Sequence, residues 1–170
     1  MYLNFSEKTI LKMTVLFSVF LIAAAYFFQH YMGLSPCFLC IVQRIAVIGI
    51  GLSALFLLMF ESLTLTKIKK TILMSLGYLF YFATALSGLI AAGRQIYIQR
   101  FPDPYASCGP GYEYILENSS LAQSIPQLFL ATGNCSEIEW TFLGFSMAEC
   151  MIPIFMSFIL IGIYLLFKKA

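Results

Sequence analysis

The chain has 170 residues, of which 61% are hydrophobic and 11% are charged, whereas soluble domains contain roughly 45–50% apolar and about 25% charged residues. This composition favours membrane insertion and excludes a disordered chain. The formal net charge of +2 is too small and too scattered for a nucleic-acid-binding surface, so no nucleic-acid partner is expected. The single histidine excludes a multi-histidine metal site built from this chain alone, and no metal site is expected.

Four long stretches of the chain contain no charged residue. Because a hydrocarbon core about 30 Å thick needs roughly 20 apolar helical residues, we predict membrane spans at about 13–31, 38–60, 71–92 and 147–167. The apolar runs are continuous rather than alternating, which disfavours a transmembrane β-barrel. The predicted fold is an all-α, four-helix transmembrane bundle in which residues 1–170 form a single integral membrane domain.

Lysines predict the orientation of this bundle. An excess of lysine and arginine marks cytoplasmic segments, and lysines precede the first span, separate the second from the third, and follow the fourth: Lys8, Lys12, Lys67, Lys69, Lys70, Lys168 and Lys169. We therefore expect a multi-pass membrane protein with both termini in the cytoplasm. A long loop on the outer side is expected at about 93–146, between the third and fourth helices. Ala23-Ala24-Ala25 resembles a signal-peptide cleavage site, but the apolar residues that follow favour an uncleaved span.

Four of the five cysteines fall on the outer side in this topology. Cys37 and Cys40 form a Cys-x-x-Cys motif at the start of the second span, and Cys108 and Cys135 lie in the long loop. Disulfides persist in the bacterial periplasm. The placement therefore indicates redox chemistry on that side of the membrane.

The sequence around Cys37 and Cys40 favours a reactive pair. Ser35 suits the N-cap of a helix and Pro36 suits its first position. Both cysteines would then lie in the opening turns, where the positive end of the helix dipole stabilises a thiolate. Arg44 follows Cys40 by four residues on the same helical face, so its guanidinium could stabilise the thiolate and an anionic reduced cofactor.

Less specific interpretations remain open for these residues. Arg44 could extend to the membrane surface, the Cys-x-x-Cys pair could be an inert structural disulfide, and four cysteines could bind zinc. Cys150, in the fourth span, is expected to be a small buried hydrophobic residue. His30, at the outer end of the first span, suits the membrane interface but could also contact a quinone.

Two further patterns concern packing. Ala83, Ser87 and Ala91 are spaced by four in the third span, which predicts a helix-packing face. Trp140 and Phe142 precede the fourth span and predict a contact with the membrane interface.

Several segments, in this order along the chain, form one recognisable pattern: Phe28-Gln29-His30, Pro36-Cys37-Phe38-Leu39-Cys40-Ile41 with Arg44, Gly93-Arg94-Gln95, Gln99, Pro102, Cys108, Pro126-Gln127-Leu128-Phe129, Gly133-Asn134-Cys135 and Trp140-Thr141-Phe142-Leu143-Gly144. Together they resemble the DsbB family of bacterial membrane oxidoreductases that form disulfide bonds. The similarity covers nearly the whole chain outside the cytoplasmic ends.

This resemblance implies a location in the bacterial inner membrane, with the long loop between the third and fourth helices in the periplasm, and it implies an electron relay. Cys108 and Cys135 would form a loop disulfide that oxidises a soluble, periplasmic, thioredoxin-fold dithiol oxidase of the DsbA type, with Cys108 in the mixed disulfide. Cys135 would then pair with Cys37. A membrane quinone, either ubiquinone or menaquinone, would reoxidise the inner pair, with Cys40 beside its ring and Arg44 stabilising the thiolate and the reduced quinone. His30, Gln95 and Met147 are the other expected quinone contacts.

The sequence departs from the family pattern in two places. Relatives commonly have Met-Pro-x-Trp where this chain has Met147-Ala148-Glu149-Cys150, so the packing around the quinone is expected to differ. Gln95 stands where some relatives have a histidine. A vitamin-K-epoxide-reductase-like protein is a second possibility, but its loop cysteines precede the Cys-x-x-Cys motif, whereas here they follow it. A structural or metal-binding membrane protein with inert cysteines is the non-enzyme alternative.

Overall fold

A computed structural model describes residues 5–33, 36–62, 66–101 and 140–169. Within these ranges the chain forms four long helices: α1 (Phe5–Tyr31), α2 (Phe38–Ser62), α3 (Lys67–Arg100) and α4 (Met147–Lys169). Each helix is long and apolar enough to cross a membrane. The all-α, four-helix transmembrane architecture predicted from the charge-free stretches is therefore confirmed.

The third helix is longer than its predicted span. The span was expected to end near residue 92, but α3 continues to Arg100, where the N–H of Phe101 donates to the carbonyl of Tyr97 at 2.9 Å. The helix does not end at Gly93, because its backbone hydrogen bonds continue for two further turns beyond the apolar stretch. As a result Gln95 lies within α3, and the segment expected to be loop begins later than residue 93.

The helices pack in a defined order. α2 lies against both α1 and α3, and α3 also packs against α4, whereas α1 and α4 are in marginal contact. Buried apolar side chains of α2, α3 and α4 form the central core, among them Ile50, Tyr81 and Phe155. The hydroxyl of Tyr81 donates to the carbonyl of Phe158 at 2.9 Å, so this buried polar atom also connects α3 to α4.

Small residues line the buried face of α3, but not those expected. Ala83 and Ser87 are exposed, which makes the predicted packing face wrong for two of its three members, and Ala91 alone is buried. The close contact is at Gly88 instead, where an added Cβ would lie 2.2 Å from the ring of Phe155. The helical period of 3.6 residues explains the difference, because a strict spacing of four drifts around the helix.

At one end of the bundle, which we call the lysine end, four ionisable side chains are buried: Glu7, Glu61, Lys70 and Tyr78. They come from α1, α2 and α3. The ammonium of Lys70 lies 3.5 Å from the carboxylate of Glu61 and donates to the Glu61 backbone carbonyl at 3.0 Å. The pair therefore joins the end of α2 to the beginning of α3.

A short hairpin leads into α4 at the opposite end. Strands β1 (Thr141–Phe142) and β2 (Phe145–Ser146) pair antiparallel. The two turn residues have positive φ angles, 52° at Leu143 and 88° at Gly144, as a type I′ turn requires. Just before the hairpin, the ring of Trp140 lies 4.9 Å from that of Phe28 in α1.

Candidate functional site

The Cys-x-x-Cys motif opens α2. The carbonyl of Cys37 accepts the N–H of Ile41 at 3.1 Å, so Cys37 takes the N-cap position and Cys40 follows in the first turn. Pro36 was predicted to be the first residue of the helix, but it precedes the helix, so that prediction is wrong. Ser35, the predicted N-cap, lies outside the described residues. Because the first N–H groups of a helix have no intrahelical acceptor, both thiols lie near a source of partial positive charge, as expected.

The two thiols are close to one another and accessible. Their sulfur atoms lie 3.1 Å apart, with the Cys37 thiol donating to Cys40, and both residues are half-buried. The pair is a dithiol, in which a hydrogen bond to Cys40 favours the thiolate form of that residue. Its partial exposure is what exchange with another sulfur requires.

Gln95 of α3 lies outside the motif and hydrogen-bonds to both thiols. Its Nε2 lies 3.3 Å from the sulfur of Cys40 and 3.6 Å from that of Cys37. Its Oε1 accepts a hydrogen bond from Nε2 of Gln43 at 2.8 Å and lies 3.7 Å from the Cys40 sulfur. Gln95 was predicted as a quinone contact, and the structure places it against the dithiol. We call the cluster formed by Cys37, Cys40, Gln43, Arg44 and Gln95 the dithiol end.

Arg44 joins α2 to α1 beside the dithiol. Its guanidinium donates to Oε1 of Gln29 and, at 3.3 Å, to the carbonyl of Ala25. The side chain is half-buried and is held at the helix–helix interface. These contacts fix a permanent positive charge on the helix face that also carries Cys40, one turn away.

The other residues predicted for the site are His30, Met147, Cys108 and Cys135. His30 is exposed, and its ring stacks on Tyr26 of the same helix at 6.0 Å. Met147 is half-buried and is the first residue of α4. Quinone contacts by these two residues stay predictions. Cys108 and Cys135 lie outside the described residues, so their disulfide also stays a prediction.

Polar side chains cap the beginning of α4. The Oγ of Ser146 accepts the N–H of Glu149 at 3.3 Å, and the carboxylate of Glu149 accepts the N–H of Ser146 at 2.9 Å. This reciprocal pattern is a capping box. Ser146 also donates to Gln99 at 2.9 Å, and Glu149 pairs with Arg100 at 3.0 Å. Polar contacts thus attach α4 to the last turn of α3.

Sequence reasoning did not find Gln43, the capping box or the hairpin. Gln43 follows Cys40 by three residues and so shares its helical face, which was a usable signal. The Ser146-x-x-Glu149 spacing was a second signal. The Leu143-Gly144 turn is a weak one, because Leu is uncommon at a position with positive φ. Cys150, expected to be buried, is half-buried.

Four membrane-spanning helices with a dithiol at the start of one of them define a membrane thiol–disulfide protein. Comparison with known proteins makes this class specific. The sequence model of the family described as "Disulfide bond formation protein DsbB" matches residues 7–165. The protein named "Disulfide bond formation protein B" from Pasteurella multocida (strain Pm70) is 37% identical over 139 residues, which cover 82% of this chain and 74% of the relative.

Two further proteins of the same name extend the match. The one from Azoarcus sp. (strain BH72) is 37% identical over 149 residues, covering 88% of this chain and 86% of the relative. The one from Polaromonas sp. (strain JS666 / ATCC BAA-500) is 31% identical over 169 residues, covering 99% and 96%. The chain belongs to the DsbB family of disulfide bond formation proteins. It is therefore a multi-pass membrane oxidoreductase that forms disulfide bonds, which decides against the vitamin-K-epoxide-reductase-like and inert structural alternatives.

Proposed function

We propose that this protein reoxidises a periplasmic, DsbA-like dithiol oxidase and passes the electrons through two cysteine pairs to a membrane quinone, either ubiquinone or menaquinone. The observation that carries the proposal is the half-buried dithiol of Cys37 and Cys40, whose sulfur atoms lie 3.1 Å apart at the start of a membrane-spanning helix. The position lets one thiol exchange with a loop cysteine while the other faces a membrane-soluble oxidant.

The exchange steps balance in atoms and electrons. A thiolate of the reduced partner attacks the Cys108–Cys135 disulfide at Cys108, which releases the Cys135 thiolate, and the second partner thiol then resolves the mixed disulfide. The partner is oxidised, and the loop pair gains two electrons and two protons. The thiolate of Cys135 next attacks Cys37 in the oxidised inner pair and releases Cys40 as a thiolate. Attack by the Cys108 thiolate on Cys135 restores the loop disulfide and leaves the inner pair as a dithiol.

The residues around the inner pair suit a quinone. When bound, a quinone supplies a two-electron oxidant that also takes up two protons. Arg44 offers a fixed cation, which favours an oxygen that gains negative charge during reduction. Gln95 supplies an amide N–H beside Cys40, and the polar contacts of both residues keep their side chains in place. The chain's own groups thus favour the thiolate that gives up electrons.

The proposed location is the bacterial inner membrane. The lysine end carries Lys67, Lys69 and Lys70 in the first turn of α3, and Lys168 lies at the end of α4. Cytoplasmic segments carry this excess of lysine, so both termini would face the cytoplasm. The dithiol end would then face the periplasm, within reach of the soluble partner.

A mixed-disulfide trap tests the exchange with the partner. The oxidised protein is mixed with a reduced thioredoxin-fold oxidase that has lost its second, resolving thiol, and the products are separated without reductant. We expect a covalent complex that is absent in Cys108→Ser and unchanged in the control Cys150→Ser. No complex, or equal complex in Cys108→Ser, would contradict the proposed order of exchange.

A further inference from the structure

A pair of buried carboxamides lies beside the dithiol. Gln43 and Gln95 are 4% and 5% exposed, and they come from facing helices, α2 and α3. Their side chains meet through one hydrogen bond, in which Nε2 of Gln43 donates to Oε1 of Gln95 at 2.8 Å. A buried amide that lacked such a partner would be costly, so this bond fixes how the Gln95 amide is oriented.

The orientation matters because the two ends of an amide have opposite roles. Nε2 only donates hydrogen bonds and Oε1 only accepts them. With Oε1 turned to Gln43, Nε2 faces the sulfurs, 3.3 Å from Cys40. The Cys40 sulfur thus receives two hydrogen bonds, one from Gln95 and one from the Cys37 thiol at 3.1 Å. Two converging donors favour a thiolate over a thiol.

We propose that Gln43 is a positioning residue, which orients the Gln95 amide so that its N–H stabilises the Cys40 thiolate. Gln43 contacts Gln95 and acts through it. The bond from Gln43 at 2.8 Å is much shorter than the 3.7 Å at which the Cys40 thiol would donate to the same oxygen, so Gln43 is the closer of the two donors and sets the direction of that oxygen. The inference deepens the proposed function, on which it rests for the use of that thiolate.

The test is the rate at which Cys40 is alkylated in the reduced full-length protein. Iodoacetamide reacts with the thiolate, and fragment mass spectrometry separates label at Cys40 from label at Cys37. At about pH 7, near or below the ordinary titration range of cysteine, we expect Gln95→Met to slow alkylation about tenfold, because a hydrogen bond to a charged group is lost. Gln43→Met should slow it about threefold, because a neutral hydrogen bond is lost.

The double variant separates positioning from an independent effect. If Gln43 acts through Gln95, Gln43→Met adds nothing to Gln95→Met, and the double variant also slows alkylation about tenfold instead of the roughly thirtyfold expected for independent sites. Near pH 10, where ordinary cysteine thiols are mostly ionised, all variants should react like the unmodified protein. Gln99→Met, an amide replacement one turn further along α3, is the matched control and should leave the rates unchanged.

Three results would overturn the inference: an unchanged rate in Gln43→Met at about pH 7, a multiplicative loss in the double variant, or slow alkylation that persists near pH 10. The last would mean that the substitution alters access to the sulfur. No quinone and no partner protein take part in this experiment. Its failure is therefore distinguishable from failure of the proposed relay, which the mixed-disulfide trap tests separately.

Discussion

The two ends of the bundle use buried polar groups in opposite ways. At the lysine end, Glu61 and Lys70 are 4% and 6% exposed and are paired with each other. At the dithiol end, the thiols of Cys37 and Cys40 are half-buried, and the neutral amide of Gln95 donates hydrogen bonds to both. Removal of either partner from a buried ion pair strongly destabilises the fold. Half-buried thiols held by hydrogen-bond donors, by contrast, remain accessible to another sulfur atom.

Buried polar groups in this apolar bundle therefore have two separate roles, stability at the lysine end and thiol exchange at the dithiol end. The lysine end connects α1, α2 and α3 and has no nucleophile aligned for exchange among its described residues. The dithiol end positions sulfur, amide and guanidinium groups from the first two turns of α2 and the last two turns of α3. Substitutions at the first end should therefore change stability, and substitutions at the second should change the rates of exchange.

The largest effect on stability is expected at Lys70. Lys70→Met leaves the Glu61 carboxylate buried without its cation, so we expect a loss of about 3–4 kcal/mol in the free energy of unfolding, measured by denaturant titration in detergent micelles. The neighbouring Lys69→Met is the control, since Lys69 is exposed. Alkylation of Cys40 should stay unchanged in both variants. A Lys70→Met protein as stable as Lys69→Met would show that the ion pair does not hold the bundle together.

Between the two ends, Gly88 tests how closely α3 and α4 approach. Gly88→Ala places a methyl group 2.2 Å from the buried ring of Phe155, and overpacking of this kind costs about 2 kcal/mol. In Gly93→Ala on the same helix the new Cβ meets nothing within 4 Å, so stability should be unchanged or slightly higher. Thermal unfolding in micelles compares the two. Equal melting temperatures would contradict the close contact.

Substitution of Arg44 tests whether its positive charge contributes to electron transfer from the dithiol to the quinone. Arg44→Ala should slow quinone-dependent turnover about tenfold, equivalent to about 1.4 kcal/mol in the barrier, and should leave exchange between the loop disulfide and the partner nearly unchanged. Arg44→Lys keeps the charge but loses the paired contacts with α1, so it should recover only part of the rate. An equal loss in both half-reactions would assign Arg44 a purely structural role.

The smallest effect is expected at the beginning of α4. Ser146→Ala removes the cap of the helix, which should cost about 1 kcal/mol in unfolding free energy. Arg100→Gln breaks an ion pair whose arginine is 68% exposed, so the change should stay below about 0.5 kcal/mol. Denaturant titration of both variants shows which one loses more unfolding free energy. A larger loss in Arg100→Gln would mean that the ion pair of Arg100, and not the contacts of Ser146, stabilises the beginning of α4 against α3.

The features of the fold and of the site that could be predicted from the sequence are those encoded within one segment of the chain. The spans follow from charge-free stretches, and Cys37, Cys40 and Arg44 follow from spacing on one helix. By contrast, Gln43 and Gln95 are 52 residues apart, and their contact depends on how α2 packs against α3. No periodicity in a single segment carries that information.

Boundaries were also harder to predict than elements. The span prediction ended α3 before Arg94, because charge marks the edge of the membrane, but a helix continues wherever its backbone hydrogen bonds continue. The displaced packing face of α3 has a similar cause, since Ala83 and Ser87 were chosen by spacing, whereas Gly88 is selected by the size of Phe155 on α4.

The most direct test of the account is reduction of a quinone by the purified protein. Absorbance is followed after a reduced thioredoxin-fold dithiol oxidase is added to the protein in micelles with either ubiquinone or menaquinone. The account predicts turnover with at least one quinone and none in Cys40→Ala. Quinone reduction that survives in Cys40→Ala, or no reduction of either quinone by intact protein, would contradict the central role of the dithiol.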